Sequence, residues 1–384
     1  MNFKLDSEQQ LLQDSVRRFA EKECGFEARA ALLKSGRSEP LHWQAFADNG
    51  WLAAALPEAY GGLGGTVIDT ALIAQEFGRA LVVEPYLGCG VLAAQTLVAA
   101  AAPAQLDHIV PQLANGSLRL ALAYSEAQSR GFPEPVRTRA TRTAEGFSLR
   151  GTKTLVLGAP GANAFIVSAA IDDDGPLTLF LVAASRPGVA CRPLRLHDGS
   201  WAAEIALDDV VVSEDAVLGA PGDGLAALHH GLAHGTVALC AELIGGMEKA
   251  IEMSAEYLKM RKQFGVPIGS FQALQHRMAD MAAELEIARS MLFALLASLL
   301  HDDDAAARQR TVSQAKALIG RAAKFVCAQA IQLHGGIGMT EEYAVGHYYK
   351  RAVVADVLFG SSDRHEAACA AQLQHALLQR DIQA

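Results

Sequence analysis

The chain lacks most of the features that assign a function on sight. It has no lysine-rich block, and a formal charge of -9 argues against a nucleic-acid surface. Its cysteines, Cys24, Cys89, Cys191, Cys240, Cys327 and Cys369, stand singly, with no paired metal-type spacing. They read as reduced, mostly core cysteines of a cytoplasmic protein, and no metal site is expected. Residues 1–23 carry early charges and an amphipathic pattern where a signal peptide would have an apolar run, so no secretory signal is expected. Alanine-rich stretches such as residues 91–102 are too short to span a bilayer. There is no internal repeat and no low-complexity linker. What remains is a chain of 384 residues, 51% hydrophobic and 20% charged, which fits a soluble globular protein of two or three domains.

Hydrophobic periodicity divides the chain in three. Residues 7–118 read as helical: Leu11, Leu12, Val16 and Phe19 recur at three- and four-residue steps, and Trp43, Phe46 and Leu52 continue a second apolar face. The glycines of residues 61–65 mark a loop. Helical patterns resume over 68–79 and 90–101, and Pro111 is expected to begin a last short helix. From about Arg119 the period changes to two, with strands expected over 136–143, 147–149, 164–168, 177–182 and 204–207. Arg130, Arg137, Arg139, Arg142 and Arg150 read there as the solvated face of strands, with a nucleotide phosphate as the alternative partner. Beyond Gly224 long apolar stripes over 236–257, 271–301, 305–334 and 367–379 suggest an antiparallel bundle. The expected domains are helical over 1–118, β over 119–222 and helical over 223–384.

The chain is organised around residues 257–277. Gly265 and Pro267 break the helical pattern there, and Ser270 is the expected N-cap of the next helix. Arg261 and Gln263 lie beside this corner. A cation and an amide at a helix end suit a phosphate-bearing ligand, although surface arginines near turns are commoner than binding sites.

The wording of this stretch, Arg261-Lys262-Gln263-Phe264-Gly265 followed by Pro267-Ile268 and Phe271-Gln272, resembles the helix-corner signature of the acyl-CoA dehydrogenase family. Gln332-Leu333-His334-Gly335-Gly336-Ile337-Gly338 is similar to that family's Gln-x-x-Gly-Gly-x-Gly turn, and residues 56–64 match its N-terminal loop. The resemblance implies an α+β chain: an N-terminal helical domain, a middle β-barrel or sandwich domain and a C-terminal four-helix bundle. It also implies FAD where the β domain meets the bundle, with the ADP half reaching a neighbouring subunit. Carried over by motif, Arg261, Gln263 and Phe264 would meet the pyrophosphate end, and Gln332, Gly335 and Gly336 the adenosine end. The chemistry asks for a guanidinium on phosphate and glycines for close backbone approach.

Against the family's pattern the flavin side is depleted. A Thr-Glu-Pro-x-x-Gly-Ser-Asp loop becomes Ser125-Glu126-Ala127-Gln128-Ser129-Arg130, and Gly-x-Lys-x-Trp-Ile-Thr-Asn becomes Gly151-Thr152-Lys153-Thr154-Leu155-Val156-Leu157-Gly158. Leu155 stands at the ring-stacking position and Leu157 at a hydroxyl donor, so hydrogen bonds to a buried flavin edge are lost. Ser125 and Ser361 are the flavin-side contacts that remain. The family's proton-abstracting glutamate maps to Phe359 in Leu358-Phe359-Gly360-Ser361, and the alternative base position on the first C-terminal helix maps to Gly235. Neither accepts a proton, and His230, His234, Asp356 and Asp363 nearby read as ordinary helix residues. No catalytic residue is therefore assigned.

Motifs lent to a neighbour's FAD survive while those serving the chain's own flavin are lost. That pattern, with Ala344-Val345-Gly346-His347-Tyr348-Tyr349-Lys350, resembles the small subunit of bacterial pimeloyl-CoA-type dehydrogenases, and paired subunits of this kind also occur in bacterial steroid side-chain degradation. The leading expectation is a subunit that desaturates a CoA thioester only with a base-bearing paralogue, in an α2β2 assembly. The alternatives are a self-sufficient homotetramer with a relocated base and a non-catalytic FAD- or CoA-binding scaffold.

Overall fold

The computed structural model describes residues 4–172, 175–302 and 304–383. Six helices come first: α1 (Ser7–Glu23), α2 (Phe26–Ser35), α3 (Trp43–Asp48), α4 (Val67–Arg79), α5 (Ala94–Ala100) and α6 (Pro103–Ala114). α1 opens on a reciprocal capping box, in which Asp6 accepts the Gln9 N–H at 2.9 Å and Gln9 accepts the Asp6 N–H at 3.2 Å. The apolar pattern expected over 90–101 starts earlier, as a π-helical segment Tyr86–Ala93 that runs into α5. Pro111 lies inside α6 and begins nothing. The helix is started instead by Pro103 at its first turn, where a missing N–H costs nothing, and by Gln105 accepting the Ala102 N–H at 2.9 Å.

Eight strands follow: β1 (Leu120–Ala123), β2 (Arg139–Thr143), β3 (Gly146–Leu157), β4 (Ala164–Ile171), β5 (Leu177–Ala183), β6 (Val189–Arg195), β7 (Trp201–Val212) and β8 (Val217–Leu218). They form one mixed sheet in the order β6-β7-β3-β2-β4-β5-β8, with β1 also paired to β4. β4 is buried along its whole length. It runs antiparallel to β5 and parallel to both β1 and the start of β2. The strand expected over 136–143 begins only at Arg139, because the N–H groups of Arg137 and Thr138 are taken by the Glu126 carboxylate at 2.8 and 3.0 Å. Arg142 and Arg150 are exposed on β2 and β3, and Arg150 pairs with Asp208 and Asp209, as expected of a solvated strand face; Arg130 and Arg137 are exposed too but lie before β2, on no strand.

The C-terminal helices are α7 (Gly224–Met260), α8 (Gln272–His301), α9 (Ala305–His334), α10 (Val345–Val357) and α11 (Ser362–Gln383). Between α7 and α8 the chain makes a small hairpin, β9 (Lys262–Gln263) and β10 (Val266–Pro267). Ser270 does not cap α8: it closes a 3-10 turn, its hydroxyl donates back to the Pro267 carbonyl at 2.7 Å, and Phe271 takes the cap position.

The chain divides into two compact units. One holds the segment through Ala28, Ala71–Val82 and everything from Leu239; the other holds Arg29–Thr70 and Val83–Ala238. Within the first, α4 and α7 cross at backbone contact. A Cβ on Gly78 would lie 1.9 Å from the Glu242 carbonyl oxygen, and one on Gly245 would lie 1.9 Å from that of Gln75. Glutamates of α7 fasten this crossing: Glu248 accepts from Gln75 Nε2 at 2.8 Å and from Arg79 at 3.0 Å, and Glu252 accepts from Arg79 at 3.0 Å. The second unit is built on the sheet, with Phe147 and Phe180 edge to face at 5.2 Å in its core.

Candidate functional site

In the first unit, α7 ends where the Arg261 N–H donates to the Tyr257 carbonyl at 2.8 Å, and the hairpin then turns on Phe264 and Gly265. Both turn residues have positive φ, 52° and 82°, as a two-residue hairpin of this twist requires. For a phenylalanine that conformation costs about 1 kcal/mol or more. Yet Phe264 is 91% exposed, touching the ring of Phe271 edge-on at 6.1 Å. Arg261 and Gln263 are also exposed, and their side chains make no hydrogen bond or ion pair among the described residues.

The glycine turn closes α9 in the same unit. Gly335 has φ 65° and donates its N–H to Ile331. A Cβ built on Gly335, on Gly336 or on Gly265 would meet nothing within 4 Å. At Gly336 neither backbone angle nor packing within the chain calls for glycine, so the open space faces outward. Gln332 beside it is exposed. His334 is buried, donates from Nδ1 to the Ala330 carbonyl at 2.7 Å, and stacks on Tyr257 at 4.5 Å.

The position mapped to the family's base lies in the same unit and is tightly held. Phe359 is 6% exposed, in a left-handed conformation with φ 61°. Its carbonyl accepts from His365 Nε2 at 2.9 Å, and Lys316 Nζ donates to the carbonyls of Gly360 and Asp356 at 2.9 and 3.1 Å. Asp356 is engaged by the Ser362 hydroxyl at 2.5 Å and by Lys324 at 2.9 Å. Burial lifts its pKa, but these donors outweigh burial and hold it below the usual range. It is a structural carboxylate. Asp363 is exposed, and the Ser361 hydroxyl accepts the Arg364 N–H at 3.4 Å as α11 begins. Lys316, 0% exposed, was passed over in the sequence; burial pulls its pKa down to about 8, with Cys240 and Asp356 opposing. The available signal was a lysine on the apolar face of α9.

The Ser125 loop belongs to the second unit and is built around another unpredicted group. Glu126 Oε1 accepts from Lys153 Nζ at 2.7 Å, from the Thr138 hydroxyl at 2.7 Å and from its N–H at 3.0 Å. Lys153 is 0% exposed and donates further to Ser168 Oγ at 3.0 Å. Burial raises the Glu126 pKa, but the ammonium and the hydrogen bonds prevail and hold it at about 2. Ser125 is buried, and its hydroxyl accepts the Gly131 N–H at 3.1 Å. Leu155 sits at a bulge of β3 with φ 51°, and Leu157 is buried. Gly235, also in this unit, is buried in α7. Nearby, the rings of His230 and His234 lie 4.4 Å apart, tilted by 34°. Burial, reinforced by His230, lowers the His234 pKa to about 3. Its Nδ1 is buried without a hydrogen-bond partner among the described residues.

No cluster of three or more metal-ligating side chains occurs among the described residues, and no helix there is long and apolar enough to cross a membrane. Residues 6–117 match the family described as "Acyl-CoA dehydrogenase, N-terminal domain", and residues 222–374 match "Acyl-CoA dehydrogenase, C-terminal domain". A "Probable acyl-CoA dehydrogenase YngJ" of Bacillus subtilis is 30% identical, over 97% of this chain and 100% of its own length. "Acyl-CoA dehydrogenase IpdE2" of Mycobacterium tuberculosis is 32% identical, over 90% of this chain and 91% of its own. Among solved structures, the ChsE4-ChsE5 complex from Mycobacterium tuberculosis superposes with a TM-score of 0.88 at 27% identity, covering 97% of this chain and 99% of that one. The helical–sheet–helical architecture and these similarities along nearly the whole length agree: the chain belongs to the acyl-CoA dehydrogenase family of FAD-dependent oxidoreductases.

Proposed function

We propose that this protein is one subunit of an acyl-CoA dehydrogenase that desaturates a CoA thioester at its α,β-bond only together with a second, base-bearing subunit. One contrast carries the reading. The motif residues Arg261, Gln263, Phe264, Gln332, Gly335 and Gly336 are exposed, with side chains or backbone free to meet something outside the chain. The two base positions, by contrast, are filled by a buried Phe359 and a buried Gly235. The open space over Gly335 and Gly336 and the unengaged Arg261 guanidinium fit a nucleoside diphosphate, the ADP half of FAD. Arg261, Gln263 and Phe264 would hold its pyrophosphate end, and Gln332, Gly335 and Gly336 its adenosine end. When bound, FAD accepts the hydride that leaves the β-carbon of the thioester. Ser125 and Ser361 are the hydroxyls left for the flavin side, and each already accepts a backbone N–H. Removal of the α-proton falls to the partner, because neither Phe359 nor Gly235 can take it. Further support comes from a related structure that is itself a complex of two differently named chains. On this reading the domains are 1–118, 119–222 and 223–384, and the assembly is an α2β2 tetramer of the pimeloyl-CoA-type pattern. The six free cysteines, four of them buried, suit a reducing cytoplasm.

A second reading, a self-sufficient homotetramer, is favoured by the unpartnered Nδ1 of His234 next to Gly235. The test is the flavin absorbance and FAD content of the chain purified alone, with acyl-CoA oxidation assayed before and after co-expression with a glutamate-bearing paralogue. Little FAD and no turnover alone, both restored in the pair, is the expected result. Turnover by the chain alone at ordinary enzyme rates, about 1 per second or faster, would sink the proposal. Loss of that turnover in His234→Ala would install the second reading.

A further inference from the structure

The two exposed segments read above as a nucleotide surface come from distant parts of the sequence, the hairpin following α7 and the glycine turn closing α9. Three rings join them. Tyr257, whose carbonyl holds the Arg261 N–H, lies against His334 with ring centroids 4.5 Å apart and planes 29° from parallel. Tyr343, beyond the glycine turn, packs on the same imidazole at 5.1 Å and 47°. His334 is the last residue of α9 and the residue before Gly335. It is 3% exposed, and its ring is fixed by the Nδ1–H bond to Ala330. From the arginine to the glycine pair there are thus only two links, one backbone hydrogen bond and one ring stack.

We infer that Tyr257, His334 and Tyr343 form a positioning clamp that sets the Arg261 hairpin in register with the Gly335-Gly336 turn, so that both grip a single nucleoside diphosphate. The inference rests on the reading of these segments as an ADP surface, and none of the three rings is assigned a contact with the ligand. The physical logic is preorganisation. Two segments held in fixed register bind one ligand that spans both more tightly than the same segments moving independently, because less freedom of the protein is lost on binding. A histidine at this place supplies both parts of the device, a flat ring to stack on and a ring N–H to lock its orientation to α9.

The test is titration of the full chain with ADP by calorimetry, with thermal unfolding measured on each variant. His334→Leu, which fills the volume but removes the flat ring, weakens ADP binding about fivefold, as the loss of an aromatic stack predicts. His334→Phe, which restores the stack without the Nδ1–H bond, binds ADP more tightly than His334→Leu. A role confined to folding would lower the unfolding temperature in both and leave the affinity of the folded protein unchanged. Wild-type affinity in folded His334→Leu, or equal weakening in His334→Phe, overturns the clamp; if His334→Leu does not fold, Tyr343→Leu decides by the same criterion. Arg261→Ala separates the two claims. Affinity lost there and kept in His334→Leu removes the clamp alone, whereas a wild-type chain that takes up no ADP removes the surface and the clamp together.

Discussion

Glu126→Gln removes one charge from a pair that is closed to solvent. The amide keeps an oxygen for the Thr138 hydroxyl and N–H, but it sets an NH2 where the Arg137 N–H and Gln128 now donate, and it removes the counter-charge of Lys153. That lysine is 0% exposed and keeps the amide oxygen, Ser168 Oγ at 3.0 Å and the Tyr124 carbonyl at 3.4 Å as acceptors, but it loses its counter-charge. Leaving one member of a buried ion pair uncompensated costs about 3–5 kcal/mol, a large part of the 5–15 kcal/mol that holds a typical domain together. The reverse truncation is milder. In Lys153→Met the carboxylate still accepts from Thr138 twice, from the Arg137 N–H at 2.8 Å and from Gln128. Its cost is about 2 kcal/mol, that of one charged hydrogen bond, and the methionine still fills the apolar part of the lysine site. The double variant is expected to be more stable than Glu126→Gln alone, since no buried charge is then unpaired. Urea unfolding at pH 7 measures all three. A Glu126→Gln loss below about 1 kcal/mol, or a greater loss in Lys153→Met, would refute the asymmetry. The sign with pH follows from the depressed Glu126 pKa. Its stabilisation is fully present above the unfolded value of 4.5 and disappears as pH falls through about 2, a dependence that Glu126→Gln abolishes.

Three further outcomes are expected. Lys316→Met leaves the carbonyls of Asp356 and Gly360 without their ammonium donor and lowers stability by about 2 kcal/mol, read by urea unfolding. Gly336→Ala leaves the unfolding temperature unchanged, because nothing lies within 4 Å of the added methyl, but it reduces the FAD content of the co-expressed pair; Gly335→Ala, at φ 65°, also costs about 1 kcal/mol of stability. Burial lowers the His365 pKa to about 4, so the unfolded chain binds the extra proton first. Stability therefore rises between about pH 4 and 6.5, by up to about 1.4 kcal/mol per unit, and His365→Leu flattens that rise in pH-dependent melts.

Long periodic elements were the legible part of this chain. The stripe over 305–334 is α9 to the residue, and that over 271–301 is α8 within one. Alternation located β3, β4, β5 and β7, but β1 escaped notice: its four residues are all buried, so it alternates nothing and reads as a continuation of apolar sequence. β6 failed for the opposite reason, being an edge strand exposed along most of its length and carrying Pro193. The exposed motif residues were legible because they are wording, shared with a family. Glu126 with Lys153, and Lys316 with the 358–361 turn, were not. Each joins segments 27 or more residues apart, and no local pattern distinguishes a buried paired lysine from a solvated one.

Two phenylalanines show where explanation within the chain ends. Phe264 and Phe359 both adopt left-handed backbone angles, 52° and 61°, which disfavour any residue with a Cβ. Around Phe359 the protein supplies compensation in full: a histidine on its carbonyl, a lysine on the carbonyls either side, a burial that leaves 6% exposed. That turn is an interior structure, fixed with or without a ligand. Phe264 has no comparable setting. It is held by a two-residue turn at the tip of a short hairpin, 91% exposed, beside an arginine and a glutamine whose side chains are unengaged among the described residues. Strain maintained in the open, with polar groups pointing outward, is accounted for when something outside the chain meets it. The position that the resemblance maps to the base is core at Phe359, and the surface around Phe264 and Gly336 is where the proposed nucleotide would bind.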